Sequence, residues 1–127
     1  MKIEVKTTAP YTVTVERGAI DRAGSIVQGL KKPGTKLMLI SDSNVMPLYG
    51  QRVEDSLKAA GFPVFRFTFP AGEENKQLST IMDMYQALAE NGFTRTDMVV
   101  SLGGGVTGDM GGFAAATFLR GIDFFQA

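Results

Sequence analysis

The residues best suited to chemistry stand in one stretch, Ser101-Leu102-Gly103-Gly104-Gly105-Val106-Thr107-Gly108-Asp109-Met110-Gly111-Gly112-Phe113. An apolar run, Met98 to Leu102, leads into it, and an alanine-rich run, Phe113 to Leu119, leads out. That is the pattern of a buried strand, a glycine turn and a helix. Glycine takes positive φ and leaves no Cβ in the way of an approaching group. A helix that starts at such a turn offers unpaired N–H groups and the positive end of its dipole. Together these predict a cradle for a phosphate-bearing cofactor.

The turn satisfies G-x-G-x-x-G literally, a weak signal alone. Two features depart from the usual dinucleotide fingerprint: the turn follows a late strand, and no acid stands at the end of the next strand, since Asp123 lies near its start. A P-loop is excluded, because no Lys-Ser or Lys-Thr follows the glycines. Tight helix–strand packing is the competing reading. It accounts well for Gly111 and Gly112, and less well for three glycines in a row. Asp109, read as lying in the first helical turn, is either a dipole partner or a group facing a ribose, a nicotinamide or a metal.

Two further polar clusters follow apolar runs. Ser41-Asp42-Ser43-Asn44 comes after Leu37 to Ile40, and Ala71-Gly72-Glu73-Glu74-Asn75-Lys76 after Val64 to Phe69. The carboxyl ends of parallel strands are where α/β sheets bind ligands. Asp42 has two readings of equal weight: a helix cap, or a carboxylate that accepts ribose hydroxyls. Glu73 and Glu74 have a structural reason to precede a helix, whose positive end they favour. Lys76 opposes that dipole, which hints at a ligand.

The remaining elements must position these clusters. Ile3 and Val5, then Tyr11, Val13 and Val15, alternate with polar residues and predict two strands joined through Thr7-Thr8-Ala9-Pro10 as a hairpin. Ile20, Ala23, Ile26, Val27 and Leu30 share a helical face that Gly24 weakens, with Lys31 and Lys32 as a solvated basic end. A second helix turns Val45, Leu48, Val53, Leu57 and Ala60 inward and closes at Gly61. A third turns in Leu78, Ile81, Met82, Tyr85, Leu88 and Ala89 and ends at Gly92. Met82 and Met84 read as packing. Ile122 to Ala127 reads as a last strand, with exposed apolar surface expected at Phe124 and Phe125. Strands alternating with helices imply an α/β fold, a mostly parallel sheet flanked by helices with an N-terminal β-hairpin. The glycine turn, Asp42 to Asn44 and Gly72 to Lys76 are expected at one sheet edge.

The chain has 127 residues, 13 basic and 13 acidic, which suits one domain (1–127) and argues against a nucleic-acid groove or a polybasic membrane patch. It contains neither cysteine nor histidine, so thiolate chemistry and the commonest general base are excluded. No stretch reads as a signal peptide or a bilayer span, and a cytoplasmic location is expected.

The run Gly103 to Gly121 closely resembles the 3-dehydroquinate synthase family. Pro70-Ala71-Gly72-Glu73-Glu74-Asn75-Lys76 and Ser41-Asp42-Ser43-Asn44-Val45 resemble that family's other two cofactor motifs, in the family's order and spacing. The resemblance implies a Rossmann-like domain that binds NAD⁺, followed in the family by a helical domain. It implies conversion of 3-deoxy-D-arabino-heptulosonate 7-phosphate to 3-dehydroquinate and phosphate in the shikimate route. One hydroxyl is oxidised, phosphate is eliminated, the ketone is reduced again, and the ring opens and recloses by aldol addition. It implies a cofactor set of Asp42, Asn44, Gly72, Glu73, Glu74, Asn75, Lys76, Gly104, Gly105, Val106, Thr107, Gly108 and Asp109. Asp42 and Asn44 would lie on the adenosine side, Gly104 to Val106 at the pyrophosphate, and Asp109 near the nicotinamide. Arg120 matches an arginine that grips the substrate phosphate, in some members across a homodimer interface. The family's divalent metal (zinc or cobalt) takes its glutamate and two histidines from later segments, so the 127-residue chain is expected to be inactive alone and to bind NAD⁺ weakly. Another sugar-phosphate cyclase is the nearest alternative, and a stand-alone nucleotide-binding module the next.

Overall fold

The computed structural model describes residues 2–5, 11–14, 19–72, 74 and 76–127. Its centre is a parallel four-stranded sheet. β3 (Leu37–Asp42) lies between β4 (Val64–Phe69) and β5 (Met98–Ser101), and β6 (Asp123–Gln126) flanks β5. Every neighbouring pair is parallel, and every crossover carries a helix: α2 (Gln51–Ala59), α3 (Leu78–Glu90) and α4 (Gly105–Thr117). β1 (Lys2–Val5) and β2 (Tyr11–Thr14) pair antiparallel as a separate ribbon, Ile3 opposite Val13. The expected hairpin pairing is therefore present, while its turn lies outside the described residues.

The continuous apolar runs of β3 and β5 follow from burial on both faces. Met38, Ile40 and Val99 pack with Ile81, Met84 and Leu88 of α3 and Met110, Ala114 and Ala115 of α4. Leu37, Leu39, Met98 and Val100 face the other way, onto Val53 and Leu57 of α2 and onto Ala23 and Val27 of α1 (Ala23–Gln28). Side chains alternate across a strand, so each central strand feeds two cores.

Five positions expected inside are outside. Leu30, Leu48, Leu78 and Met82 are 63%, 68%, 69% and 56% exposed. Leu30 lies beyond the end of α1. Leu48 falls in a π-helical turn, Met46–Gly50, whose wider pitch turns Met46 and Gly50 inward instead. Leu78 is the first residue of α3, and that helix buries the Ile81–Met84–Leu88 stripe, leaving Met82 on the opposite side. Ala89 is likewise exposed. Gly24 has a packing role rather than a weakening one: a Cβ there would stand 2.0 Å from the Ser56 carbonyl oxygen of α2, and the Gly24 N–H donates to Ser56 Oγ at 2.9 Å. Lys31 is not a solvated end. Its side chain is 15% exposed, pairs with Asp123, and donates to the Thr96 carbonyl at 3.2 Å.

Topology fixes where a ligand can dock. From β3 the chain moves outward to β4, then returns across β3 to β5 and continues to β6. The direction reverses between β3 and β5, and the crevice at the carboxyl ends of two such strands is open because the loops after them diverge.

Candidate nucleotide-binding site

Asp42 ends β3 and Gly103 comes after β5, one on each side of that crevice. Asp42 Oδ1 accepts the N–H groups of Asn44 at 2.9 Å and Val45 at 2.7 Å. Neither bond uses Oδ2. The two readings of Asp42 are therefore compatible: one oxygen closes the turn, and the residue also lines the cleft. Ser43 stitches the neighbouring loop. Its N–H donates to the Phe69 carbonyl at 2.8 Å, and its Oγ accepts the Ala71 N–H at 2.9 Å. Across the other seam, the Leu102 N–H donates to the Ile40 carbonyl at 2.9 Å, while buried Ser41 Oγ donates to the Leu102 carbonyl at 2.7 Å. Sequence reasoning assigned no task to Ser41 and offered Ser43 only as a helix cap, whereas these bonds of Ser43 run to the end of β4 and the loop after it. The available signal was a hydroxyl at the end of an otherwise apolar buried strand.

The glycine turn is built from glycines of two kinds. Gly103 has φ +140°, a conformation that a side chain would strain. Ideal Cβ atoms on Gly104 and Gly105 would meet nothing within 4 Å, so these two face open space. Further along α4, a Cβ on Gly108 would stand 2.6 Å from Gln126 Nε2, and one on Gly111 2.0 Å from Ser101 Oγ. Those two let the helix lie against β5 and β6, as the packing reading expected of Gly111. The Gly108 N–H is also committed, to the Gly104 carbonyl at 3.0 Å. The free end of α4 is thus the turn Gly105-Val106-Thr107. It has no side-chain cap and no acidic residue in its first turn, so its first N–H groups and its dipole point at the cleft uncompensated. Asp109 lies one turn further in than expected.

Asp42, Gly72, Gly104, Gly105, Val106 and Thr107 line a cleft of about 170 Å³. That is below the range of about 300–1,000 Å³ typical of whole small-molecule sites, and it suits a diphosphate better than an entire dinucleotide. Thr107 is 1% exposed, and its Oγ1 has no hydrogen-bond partner among the described residues. Gly72 lines the opposite side at φ +124°. Exposed Asn44 contributes its N–H to the Asp42 turn. Glu74 lies at the same edge, its carboxylate 2.5 Å from where a Gly72 Cβ would be. Lys76 Nζ pairs with Asp109 Oδ2 at 2.8 Å, tying the loop after β4 to α4; the lysine that opposes its own helix dipole is answered by a carboxylate on another helix. Glu73 and Asn75 lie outside the described residues.

Arg120 is not brought to this cleft. It stands beyond the far end of α4, about 20 Å along the helix from Gly105 at 1.5 Å per residue, on the edge where β6 begins. Among the described residues no group of three or more acidic side chains is placed to hold a metal ion, and no helix is long and apolar enough to cross a membrane. Phe124 is 36% exposed, whereas Phe125 packs against the second core. The expected apolar surface there is thus only partly present.

Residues 66–127 match the family described as 3-dehydroquinate synthase N-terminal. The chain is 48% identical over 117 residues to the 3-dehydroquinate synthase of Streptococcus gordonii, covering 92% of this chain and 33% of that protein. It is 43% identical over 127 residues to that of Streptococcus suis, covering 99% of this chain and 36% of the relative. It therefore spans about a third of the length of these curated relatives. Among solved structures, 2-deoxy-scyllo-inosose synthase complexed with carbaglucose-6-phosphate, NAD⁺ and Co²⁺ superimposes with a TM-score of 0.89 at 23% identity, over 100% of this chain and 34% of that one. A glycerol dehydrogenase from Schizosaccharomyces pombe gives 0.66 at 21% identity, over 85% of this chain and 25% of that one. These two likenesses concern the fold. The sequence likeness runs through all three polar strand ends: the chain is similar over nearly its whole length to about a third of the length of these 3-dehydroquinate synthases, and its residues 66–127 match that family's N-terminal region.

Proposed function

We propose that this segment, residues 1–127, is the nucleotide-holding domain of a 3-dehydroquinate synthase and binds NAD⁺ with its diphosphate on the first turn of α4. The observation that carries the reading is the uncapped helix end beside two glycines whose missing Cβ atoms leave open space. The N–H groups of Gly105, Val106 and Thr107 are free to donate to phosphate oxygens, and Asp42 stands across the cleft to accept from a ribose. Asn44, Gly72, Glu73, Glu74, Asn75, Lys76 and Asp109 complete the wall in this reading, and Gly108 keeps α4 against β6. When bound, NAD⁺ supplies a reversible acceptor for the hydride of one secondary hydroxyl. The chain's own part is to bind and orient it.

The full-length protein would convert 3-deoxy-D-arabino-heptulosonate 7-phosphate to 3-dehydroquinate and phosphate, with a divalent metal held by residues other than those described. Arg120, distant from its own chain's cleft, would serve the substrate phosphate of a second subunit in a homodimer. A fork of guanidinium N–H groups suits that task. The sequence relatives, at 43% identity and above, favour dehydroquinate formation over the cyclase chemistry of the more distant structural neighbours.

Calorimetry tests the cradle. NAD⁺ should bind the chain, and Gly105→Val should weaken binding at least about tenfold, or about 1.4 kcal/mol, with the fold intact by circular dichroism. Equal affinity for the two proteins would sink the assignment.

A further inference from the structure

Two consecutive non-glycine residues, Leu119 and Arg120, sit at φ +49° and +66°. Every other positive-φ residue among those described is glycine, so at this one turn the chain tolerates side chains where it elsewhere omits them. Left-handed backbone is unfavourable for residues with a Cβ, and it persists only where the surroundings over-determine it. Exposure rules out burial as the reason for keeping these side chains: Leu119 is 48% exposed and Arg120 is on the surface.

The surroundings that hold the turn come from α3. Tyr85 stacks on Phe118, with ring centroids 6.2 Å apart and planes at 24°. Its hydroxyl bonds to Thr117 Oγ1. The Thr117 hydroxyl proton is already given to the Phe113 carbonyl at 2.7 Å, so Tyr85 is the donor in that contact. Tyr85 therefore grips the two residues immediately before the left-handed pair. On the other side, the Gly121 N–H donates to the Phe118 carbonyl at 2.8 Å and the Ile122 N–H to the Ala115 carbonyl at 2.7 Å.

We propose that Tyr85 is a positioning residue for Arg120: by clamping Thr117 and Phe118 it holds a left-handed turn that presents the guanidinium to a phosphate monoester. The proposal rests on the substrate-phosphate role given to Arg120 and adds to it a residue on a different helix that touches no ligand. Losing one neutral hydrogen bond makes roughly a two- to tenfold difference, which sets the scale of the Tyr85→Phe effect.

Hydrogen exchange on this chain is the first test. In Tyr85→Phe the Gly121 and Ile122 amides should exchange about fivefold faster, while the Leu39 and Val100 amides of the central strands keep their protection. Unchanged exchange at Gly121 and Ile122, or an equal rise at all four, overturns the clamp. The second test is a double-mutant cycle in the full-length protein, reading KM for the sugar phosphate. Tyr85→Phe should raise KM by a similar factor and Arg120→Ala by more, and the double variant should equal Arg120→Ala alone. Additive effects overturn the proposal. So does an Arg120→Ala variant with unchanged KM, which removes the arginine's role itself, while NAD⁺ calorimetry on Gly105→Val decides the cradle separately.

Discussion

The two ends of the parallel sheet are built on opposite principles. At the amino end, polar groups are used up. Asp97, 7% exposed, accepts the Lys36 N–H at 2.9 Å and the Thr94 N–H at 2.8 Å. Lys36 Nζ donates to the Asn91 carbonyl at 2.8 Å, and Lys31 reaches Thr96 and Asp123. At the carboxyl end, α4 begins uncapped, Thr107 Oγ1 is buried without a partner among the described residues, and two glycines face empty space. Buried polar groups are normally satisfied, so the contrast fits stability at one end and the proposed nucleotide site at the other.

Substitutions at the two ends should therefore separate stability from affinity. The largest effect is expected for Asp97→Ala, which strands the Lys36 and Thr94 N–H groups. It should cost about 3 kcal/mol in chemical denaturation and leave NAD⁺ affinity unchanged; an equal loss of affinity would break the division. Ser41→Ala lies on the boundary. It leaves the Leu102 carbonyl unpaired inside the sheet, and should cost about 1–2 kcal/mol while also loosening the cradle, so both readouts should move. Gly105→Ala is the mirror image of Asp97→Ala. Alanine favours helix over glycine by about 1 kcal/mol, so thermal stability should hold or rise while calorimetric affinity for NAD⁺ falls. A fall in stability would show that Gly105 is a packing glycine after all.

The smallest effect is expected from acid. The Glu54 side chain is 12% exposed and bonds Arg66 Nε at 2.6 Å and Lys58 Nζ at 3.1 Å. Burial pushes its carboxyl up, but the bonds from Arg66 and Lys58 outweigh this and hold it below its ordinary value of 4.5. A lowered folded pKa means the contribution is present above the ordinary value and is lost as pH falls through the lowered one. Denaturation midpoints should therefore decline below about pH 4.5 by no more than about 1 kcal/mol, and Glu54→Gln should flatten that decline.

The sheet end proposed to bind was more legible in the sequence than the end that holds. Gly103 to Gly108, Asp42 and Gly72 announce themselves because glycine and carboxylate after an apolar run have few other uses. Asp97, Ser41 and Ser43 do not, since one polar residue at a strand terminus looks like any loop residue until its partners, dozens of positions away, are known. Helix phase was the other loss. A π-helical turn at Met46–Gly50 shifts the stripe, so Leu48 fits a regular 3.6-residue pattern and still faces outward. Gly24 reads as a weak helix former for the same reason: the group that requires its missing Cβ, Ser56, is remote in sequence.

Asp42 joins a structural duty to the binding one proposed for it, and the union has an entropic consequence. Two backbone N–H groups hold Oδ1 in place, so the carboxylate is frozen when the chain folds. Immobilising a mobile side chain on binding costs about 0.5–1.5 kcal/mol, and here that entropy is lost before any ligand arrives. A hydroxyl docking at this wall meets an acceptor whose direction is already set. Asn, which can keep the turn but not the charge, would therefore test the electrostatics of the contact with its geometry held constant.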